Sequence, residues 1–154
     1  MVCYPEIVSH KSAKIAALVQ SLEGRELDAR YLGYFECFNR QLFFEAHEVL
    51  EDLWLLRRGE KQDLFYKGLI QLAGAFVHVQ KKRVQPAAAL FKLARRNLMG
   101  YSPNHEWLNV MGVLELIDHW LERLKKPGEQ LLSPREVPVI SIDGQIVTER
   151  DVSG

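Results

Sequence analysis

Apolar side chains recur every three to four residues over most of the chain, which is the spacing of amphipathic helices. Glycine, proline and capping residues divide this pattern into six predicted helices. They cover residues 9 or 12 to 24, residues 28–40, a segment containing FFEAHEVLEDLW that stops near Gly59, the segment DLFYKGLIQLAGAFVHVQKK, residues 86–100, and a last helix from a cap at Asn104 to just before Pro127. The pattern predicts an all-α fold, a compact bundle of five or six helices within residues 1–127.

The pattern changes after Pro127, where VPVISIDGQIVTE alternates apolar and polar residues around Asp143 and Gly144. This alternation predicts a short C-terminal β-hairpin within an extension of residues 128–154. An isolated hairpin is marginally stable, so the extension should pack on its own bundle or on a second copy of the chain, which would make a homo-oligomer. The residues that require such cover are Val137, Val139, Ile140, Ile142, Ile146 and Val147.

The sixth predicted helix separates its apolar and polar residues onto two faces. Its predicted buried stripe consists of Trp107, Met111, Leu114, Ile117, Leu121 and Leu124. Its predicted solvated face consists of Glu115, Asp118, His119 and Glu122.

The fourth predicted helix is apolar nearly all round, which is typical of a helix surrounded by other helices. Its polar stripe consists of Lys67, Gln71 and His78, with His78 seven residues after Gln71. Such a stripe faces either water or a polar pocket inside the bundle, and the sequence leaves both alternatives open.

The third predicted helix carries the segment FFEAHEVLEDLW. At about 100° per residue, its predicted buried face consists of Leu42, Phe43, Ala46, Val49, Leu50, Leu53 and Trp54. The opposite face, predicted to be wet, consists of Glu45, Glu48 and Asp52. His47 and Glu51 lie one turn apart at the boundary between the two faces, beside Phe44 and Trp54.

If the third and fourth helices pack as central, antiparallel neighbours, these two polar groups converge in one pocket. The predicted ligand pocket consists of Phe44, Trp54, Lys67 and Gln71, and the predicted metal ligands are His47, Glu51 and His78. Nitrogen and oxygen ligands of this kind suit a divalent metal such as zinc, nickel or iron. The alternative is an exposed or half-buried pair of His47 and Glu51, which would contribute roughly 0–1 kcal/mol to stability.

Two functions follow from such a pocket, and the pattern favours the first. The first is a binding or interaction module that presents the polar pocket to a small ligand or a protein partner. The second is a metal-dependent enzyme, a hydrolase, with Glu48 as its candidate base. Against the enzyme, Glu51 stands where the metalloprotease signature has its second histidine, and Glu48 lies about 100° around the helix from His47.

The composition narrows the classes of partner. Twenty basic residues balance twenty acidic ones, so the net charge does not favour nucleic acid or an anionic membrane as a partner. The two cysteines, Cys3 and Cys37, are too few for a disulfide framework. The N-terminus lacks the apolar run of a signal peptide, and no stretch approaches the roughly 18 apolar residues of a membrane span. These features predict a cytoplasmic protein.

The segments FNRQLFFEAHEVLEDLW and FYKGLIQLAGAFVH together resemble the signature of small bacterial and archaeal proteins in domain-of-unknown-function family 309. The resemblance extends over about residues 34–103 and implies a compact all-α bundle with no established activity. It also suggests a metal or ligand site at the histidine and glutamate of the motif. The positions that match the signature are His47, Glu48, Glu51, Trp54, Gln71 and His78. After His78, the segment KKRVQPAAAL replaces the glycine–asparagine turn usual in such proteins.

Overall fold

The computed structural model describes residues 12–126 and 138–142. Within these ranges it contains six helices: α1 Ser12–Ser21, α2 Ala29–Asn39, α3 Phe43–Leu56, α4 Asp63–Gln80, α5 Val84–Leu98 and α6 Val110–Lys125. A 3-10 helix, Met99–Tyr101, and two short strands, β1 Asn104–His105 and β2 Leu108–Asn109, connect α5 to α6. The predicted all-α class is confirmed. The division of the chain at residue 127 stays a prediction.

Helix α4 lies between its two neighbours in the chain, α3 and α5. Ten of its eighteen residues are buried, which explains why its sequence is apolar nearly all round. Gly68 allows a close approach to α5, because a Cβ atom at this position would lie only 2.7 Å from Leu98 Cγ. The packing of α4 therefore depends on a small residue at this crossing.

The Phe76 ring joins α4 to four other helices. Its centroid lies 5.5 Å from that of Phe38 in α2, 5.1 Å from Phe43 in α3, 5.0 Å from Phe91 in α5 and 5.4 Å from Trp120 in α6. Three of these contacts are edge-to-face, a favoured arrangement of aromatic pairs. All five rings are buried. This aromatic cluster forms the centre of the core.

Helix α6 begins later than the sequence predicted. Asn104 belongs to β1 and pairs with Asn109, and Asn109 is the residue that caps α6, accepting a hydrogen bond of 3.0 Å from the backbone N–H of Gly112. Between the strands, Glu106 and Trp107 have φ angles of 49° and 62°. Positive φ at both central residues is the conformation of a tight two-residue hairpin turn.

The predicted faces of α6 are right in part. Glu115, Asp118, His119 and Glu122 are exposed, as predicted. The placement of Trp107 and Met111 on a buried stripe is wrong, since they are 49% and 51% exposed. The late start of α6 is the reason: Trp107 stands in the turn before the helix, and Met111 lies in its first turn. The predicted burial of Leu42 before α3 is wrong too, because Leu42 is 41% exposed where α3 begins.

Residues 138–142 pack against the helical bundle of their own chain. The side chain of Asn39 at the end of α2 accepts a 2.7 Å hydrogen bond from Ile140 N–H and donates one of 2.8 Å to Ile140 C=O. Ile142 pairs with Leu108 in an isolated antiparallel bridge, and Ile140 and Ile142 are buried. Val139 is exposed. The predicted turn at residues 143 and 144, together with Val137, Ile146 and Val147, lies outside the described residues.

Among the described helices, none combines the length and the hydropathy that crossing a membrane requires.

Candidate functional site

A cavity of about 240 Å³ lies between α3, α4 and α5. We call it the α3–α4 cavity. Its walls combine apolar side chains with three polar ones, and it is lined by Phe44, His47, Ile70, Gln71, Gly74, Val77, His78 and Leu90. Four of the residues predicted from the sequence thus share one cavity: Phe44, His47, Gln71 and His78.

Helical geometry explains the assembly of this cavity. Gln71, Gly74 and His78 lie at positions i, i+3 and i+7 of α4, which places them along one stripe. Gly74 leaves open space in the middle of this stripe, and a Cβ atom there would approach Leu90 Cδ1 to 3.3 Å. On α3, Phe44 and His47 are three residues apart, and their rings lie parallel within 8° with centroids 6.2 Å apart.

The two histidines of the cavity have unsatisfied ring nitrogens. The Nδ1 atoms of His47 and His78 are both buried, and neither has a hydrogen-bond partner among the residues that the structure describes. By contrast, the His105 ring is hydrogen-bonded to Gln62, and His119 is exposed. A buried polar group without a partner costs about 1–3 kcal/mol, and a ligand or an ordered water that bonds to these nitrogens would offset that cost.

The electrostatic surroundings of His78 favour the neutral form of its ring. Burial lowers the pKa of His78 below its ordinary value, and the positive charges of Arg83 and Lys81 lower it further. A neutral imidazole carries one N–H donor and one acceptor nitrogen. At neutral pH, Nδ1 of His78 can therefore serve either role, according to the tautomer that a partner selects.

The amide of Gln71 is oriented by Asn97, a residue that the apolar pattern of the sequence does not single out. Asn97 of α5 donates a 2.7 Å hydrogen bond from Nδ2 to Gln71 Oε1. This bond occupies the carbonyl end of the Gln71 amide and leaves its Nε2 hydrogens to donate. Asn97 follows Leu90 by seven residues and Ala94 by three, which places it on the same face of α5 as these apolar residues. A polar residue on an otherwise apolar face is the feature of the sequence that could have indicated its role.

A second cavity, of about 310 Å³, lies between α1, α2 and α3, and we call it the α1–α3 cavity. Its charged lining residues are Glu23, Arg30, Glu48, Glu51 and Asp52. Arg30 is paired with Asp28 at 3.1 Å. Burial raises the pKa of Asp52, an effect that Arg30 opposes and Glu51 reinforces.

The prediction that Glu48 and Asp52 face water is wrong, because α1 and α2 cover that side of α3 and leave both residues half-buried. Glu51 lies about 40° further around α3 than His47, since four residues turn a helix by one turn and about 40°. It lines the α1–α3 cavity, whereas His47 lines the α3–α4 cavity.

The other two predicted pocket residues lie elsewhere. The indole N–H of Trp54 donates a 2.7 Å hydrogen bond to Asp63 Oδ1, and Gly59 N–H donates one of 2.8 Å to Asp63 Oδ2. Trp54 therefore holds the turn between α3 and α4. Lys67 continues the stripe of Gln71 along α4 but is exposed and does not line the α3–α4 cavity.

The three predicted metal ligands, His47, Glu51 and His78, are divided between the two cavities. Within residues 12–126 and 138–142, no group of three or more histidine, cysteine, aspartate or glutamate side chains is arranged to hold a metal ion. His47 and His78 line one cavity and Glu51 lines the other. Metal binding by these three residues stays a prediction.

Residues 31–90 match the model of a family described as domain of unknown function (DUF309). The resemblance predicted from the sequence is confirmed, over a range that begins three residues earlier and ends thirteen residues earlier than predicted. All eight residues that line the α3–α4 cavity fall within the matched range. No curated protein and no solved structure matches the chain.

Proposed function

We propose that this chain, whose residues 31–90 belong to the DUF309 family, is a binding module that takes a small ligand in the α3–α4 cavity. The observation that carries the proposal is the pair of buried Nδ1 atoms of His47 and His78, which have no hydrogen-bond partner among the described residues. A ligand that bonds to both would remove the cost of leaving them unsatisfied.

The volume of the cavity indicates the size of the group that it can enclose. At about 240 Å³ it is smaller than the cavities of roughly 300–1,000 Å³ that hold drug-sized molecules. It is larger than the roughly 150 Å³ that suffices for benzene. The expected ligand is therefore about one ring, or a short branched chain, with a polar substituent.

The proposal can be tested by screening small monocyclic compounds against the protein by NMR. Compounds that bind should perturb the backbone amide signals of Ile70, Gly74 and His78. The variant Leu90→Phe, which places a larger side chain in the cavity, should weaken binding. Leu64→Phe is the matched control, because Leu64 is an exposed residue of α4 outside the cavity. Equal weakening in both variants, or perturbations away from the cavity, would contradict the proposal.

The alternative function is a metal-dependent hydrolase that uses His47, Glu51 and His78 as ligands and Glu48 as base. It has less support, because Glu48 and Glu51 line the α1–α3 cavity, away from the two histidines. Elemental analysis of protein purified without chelator or affinity tag tests it directly. A stoichiometric metal that His47→Ala abolishes would establish the metal site and reverse the order of the two functions.

Our proposal also includes a cytoplasmic location and, through the C-terminal extension, assembly into a homo-oligomer. The described part of the extension packs on its own bundle and leaves Val139 exposed, so that Val139 is available for contact with a second copy. Light scattering on the full chain and on a version that ends at Gly128 tests the assembly. An oligomer that needs the extension should dissociate when it is removed.

A further inference from the structure

We propose that the ligand of the α3–α4 cavity is a small organic carboxylate, with one carboxylate group on an apolar body about the size of a ring. This inference rests on the binding function proposed above and adds the chemical class of the ligand.

The polar groups of the cavity can all act as donors. The carbonyl end of the Gln71 amide is engaged by Asn97, so the Nε2 end is the one that donates. The rings of His47 and His78 each offer a buried Nδ1 atom that donates when the proton resides on that nitrogen. A carboxylate accepts up to about four hydrogen bonds through its two oxygens, so one carboxylate has the capacity to accept from all three side chains.

The charges beside His78 and the lining of the cavity favour an anion. None of the eight described residues that line it is acidic. The charged groups that act on His78 are Arg83 and Lys81, both cationic. The α1–α3 cavity has the opposite character, since Glu23, Glu48, Glu51 and Asp52 line it together with one arginine. A cationic ligand would find no acidic side chain among the lining residues of the α3–α4 cavity, whereas an anionic ligand could accept hydrogen bonds from its donors.

The remaining walls provide an apolar environment for the body of the ligand. Phe44, Ile70, Val77 and Leu90 line the cavity with aromatic and aliphatic side chains. Gly74 leaves room between them, because it carries no side chain. Burial of an apolar body contributes roughly 25 cal/mol for each Å² removed from water, which adds affinity that a bare inorganic anion would lack.

The test compares benzoate, benzyl alcohol and benzylamine, which have similar size and differ in the charge of the polar group. Calorimetric titrations at neutral pH should show benzoate binding at least tenfold more tightly than benzyl alcohol, with benzylamine weakest, since hydrogen bonds to a charged group are the stronger ones. His78→Phe and His47→Phe should each weaken benzoate binding about tenfold or more and change benzyl alcohol binding less. His119→Phe is the matched control, because His119 is exposed on α6.

A second measurement uses the unaltered protein and does not depend on how a variant folds. Benzoate should shift the ring-nitrogen NMR signals of His47 and His78 toward the form with the proton on Nδ1, and the signals of His119 should not move.

Each outcome is decisive. If benzyl alcohol or benzylamine binds as tightly as benzoate and the histidine variants weaken it, the carboxylate class is wrong and the binding function stands. If benzoate binding persists in both histidine variants, the ligand binds elsewhere and this inference fails. If no member of the series binds at millimolar concentration, this inference is overturned, and the NMR screen of monocyclic compounds decides separately whether the proposed binding function stands.

Discussion

Replacing Gly68 by alanine should destabilise the bundle, because α4 and α5 meet at this point without room for a methyl group. The added Cβ would lie 2.7 Å from Leu98 Cγ and 2.9 Å from Leu98 Cδ2. Carbon atoms in favourable contact are about 3.5–4.0 Å apart, so the two helices or the leucine would have to move by roughly 1 Å. Leu98 is fully buried, and its neighbours restrict such a movement.

Two opposing effects determine the magnitude. Alanine is favoured over glycine in a helix by about 0.8–1.0 kcal/mol. Overpacking of a tightly packed core costs about 1–3 kcal/mol. Because the overlap involves two atoms of a fully buried side chain, the cost should fall in the upper half of that range. We expect Gly68→Ala to lower the free energy of unfolding by about 1–2 kcal/mol.

Gly74→Ala is the matched comparison on the same helix. Among the described residues, its Cβ would approach Leu90 Cδ1 alone, at 3.3 Å, and this atom is the end of a half-buried side chain beside the α3–α4 cavity. The gain in helix propensity should prevail there, so that the variant is as stable as the parent or more stable by up to about 1 kcal/mol. Urea unfolding followed by circular dichroism measures both variants. If Gly68→Ala proved as stable as Gly74→Ala, the reasoning from close helix approach would be refuted.

Three further predictions concern single side chains. Hydrogen bonds from Gly59 and Trp54 lower the pKa of Asp63. The contribution of Asp63 to stability is therefore present above about pH 4 and is lost as the pH falls through the lowered pKa. Asp63→Asn should flatten this part of the plot of unfolding free energy against pH, measured by urea unfolding between acidic and neutral pH, and an unchanged plot would contradict the assignment. Asn39→Ala should lower the free energy of unfolding by about 1–3 kcal/mol and make residues 138–142 more accessible to limited proteolysis. An unchanged digestion pattern would mean that the two hydrogen bonds between Asn39 and Ile140 do not hold residues 138–142 on the bundle. His78→Leu should leave stability at neutral pH unchanged or raised, because Nδ1 of His78 has no partner among the described residues. Burial lowers the pKa of His78 in the folded state, so the parent should lose stability as the pH falls below about 6.5. The variant, which has no imidazole at this position, should lose less stability over the same pH range.

The helices from α2 to α5 could be predicted because their apolar residues recur at helical spacing, and because Asp28 caps α2 and Gly59 follows α3. The start of α6 could not. Asn104 and Asn109 are both good capping residues, and the pattern of apolar residues after Asn104 continues through Trp107 without a break. Asn109 is the cap because a hairpin precedes it, and the turn of this hairpin has Glu106 and Trp107 at positive φ. Residues other than glycine, asparagine and aspartate seldom adopt that conformation, so the sequence argues against the turn.

The candidate site shows a similar division between local and tertiary information. The stripe of Gln71 and His78 on a helix that is otherwise apolar suggested that the two residues face either water or a polar pocket, and both line one cavity. The rotation of about 100° per residue along α3 placed His47 and Glu51 close together around the helix axis. This rotation does not show which neighbouring helices cover each side of α3. Here α4 covers the side of His47, and α1 and α2 cover that of Glu48, so one predicted pocket became two cavities.

The attachment of Ile140 to Asn39 has a consequence for the order in which the chain folds. Helices α2 to α5 each pack on the next helix in the chain, and contacts of such short separation form rapidly. The Asn39–Ile140 bonds join residues 101 positions apart, so their formation closes a long loop and carries a larger entropic cost. We therefore expect residues 138–142 to join an already assembled bundle and to detach from it before the helices separate. In hydrogen exchange, the amide of Ile140 should open with a smaller free energy than the amides at the centre of α4.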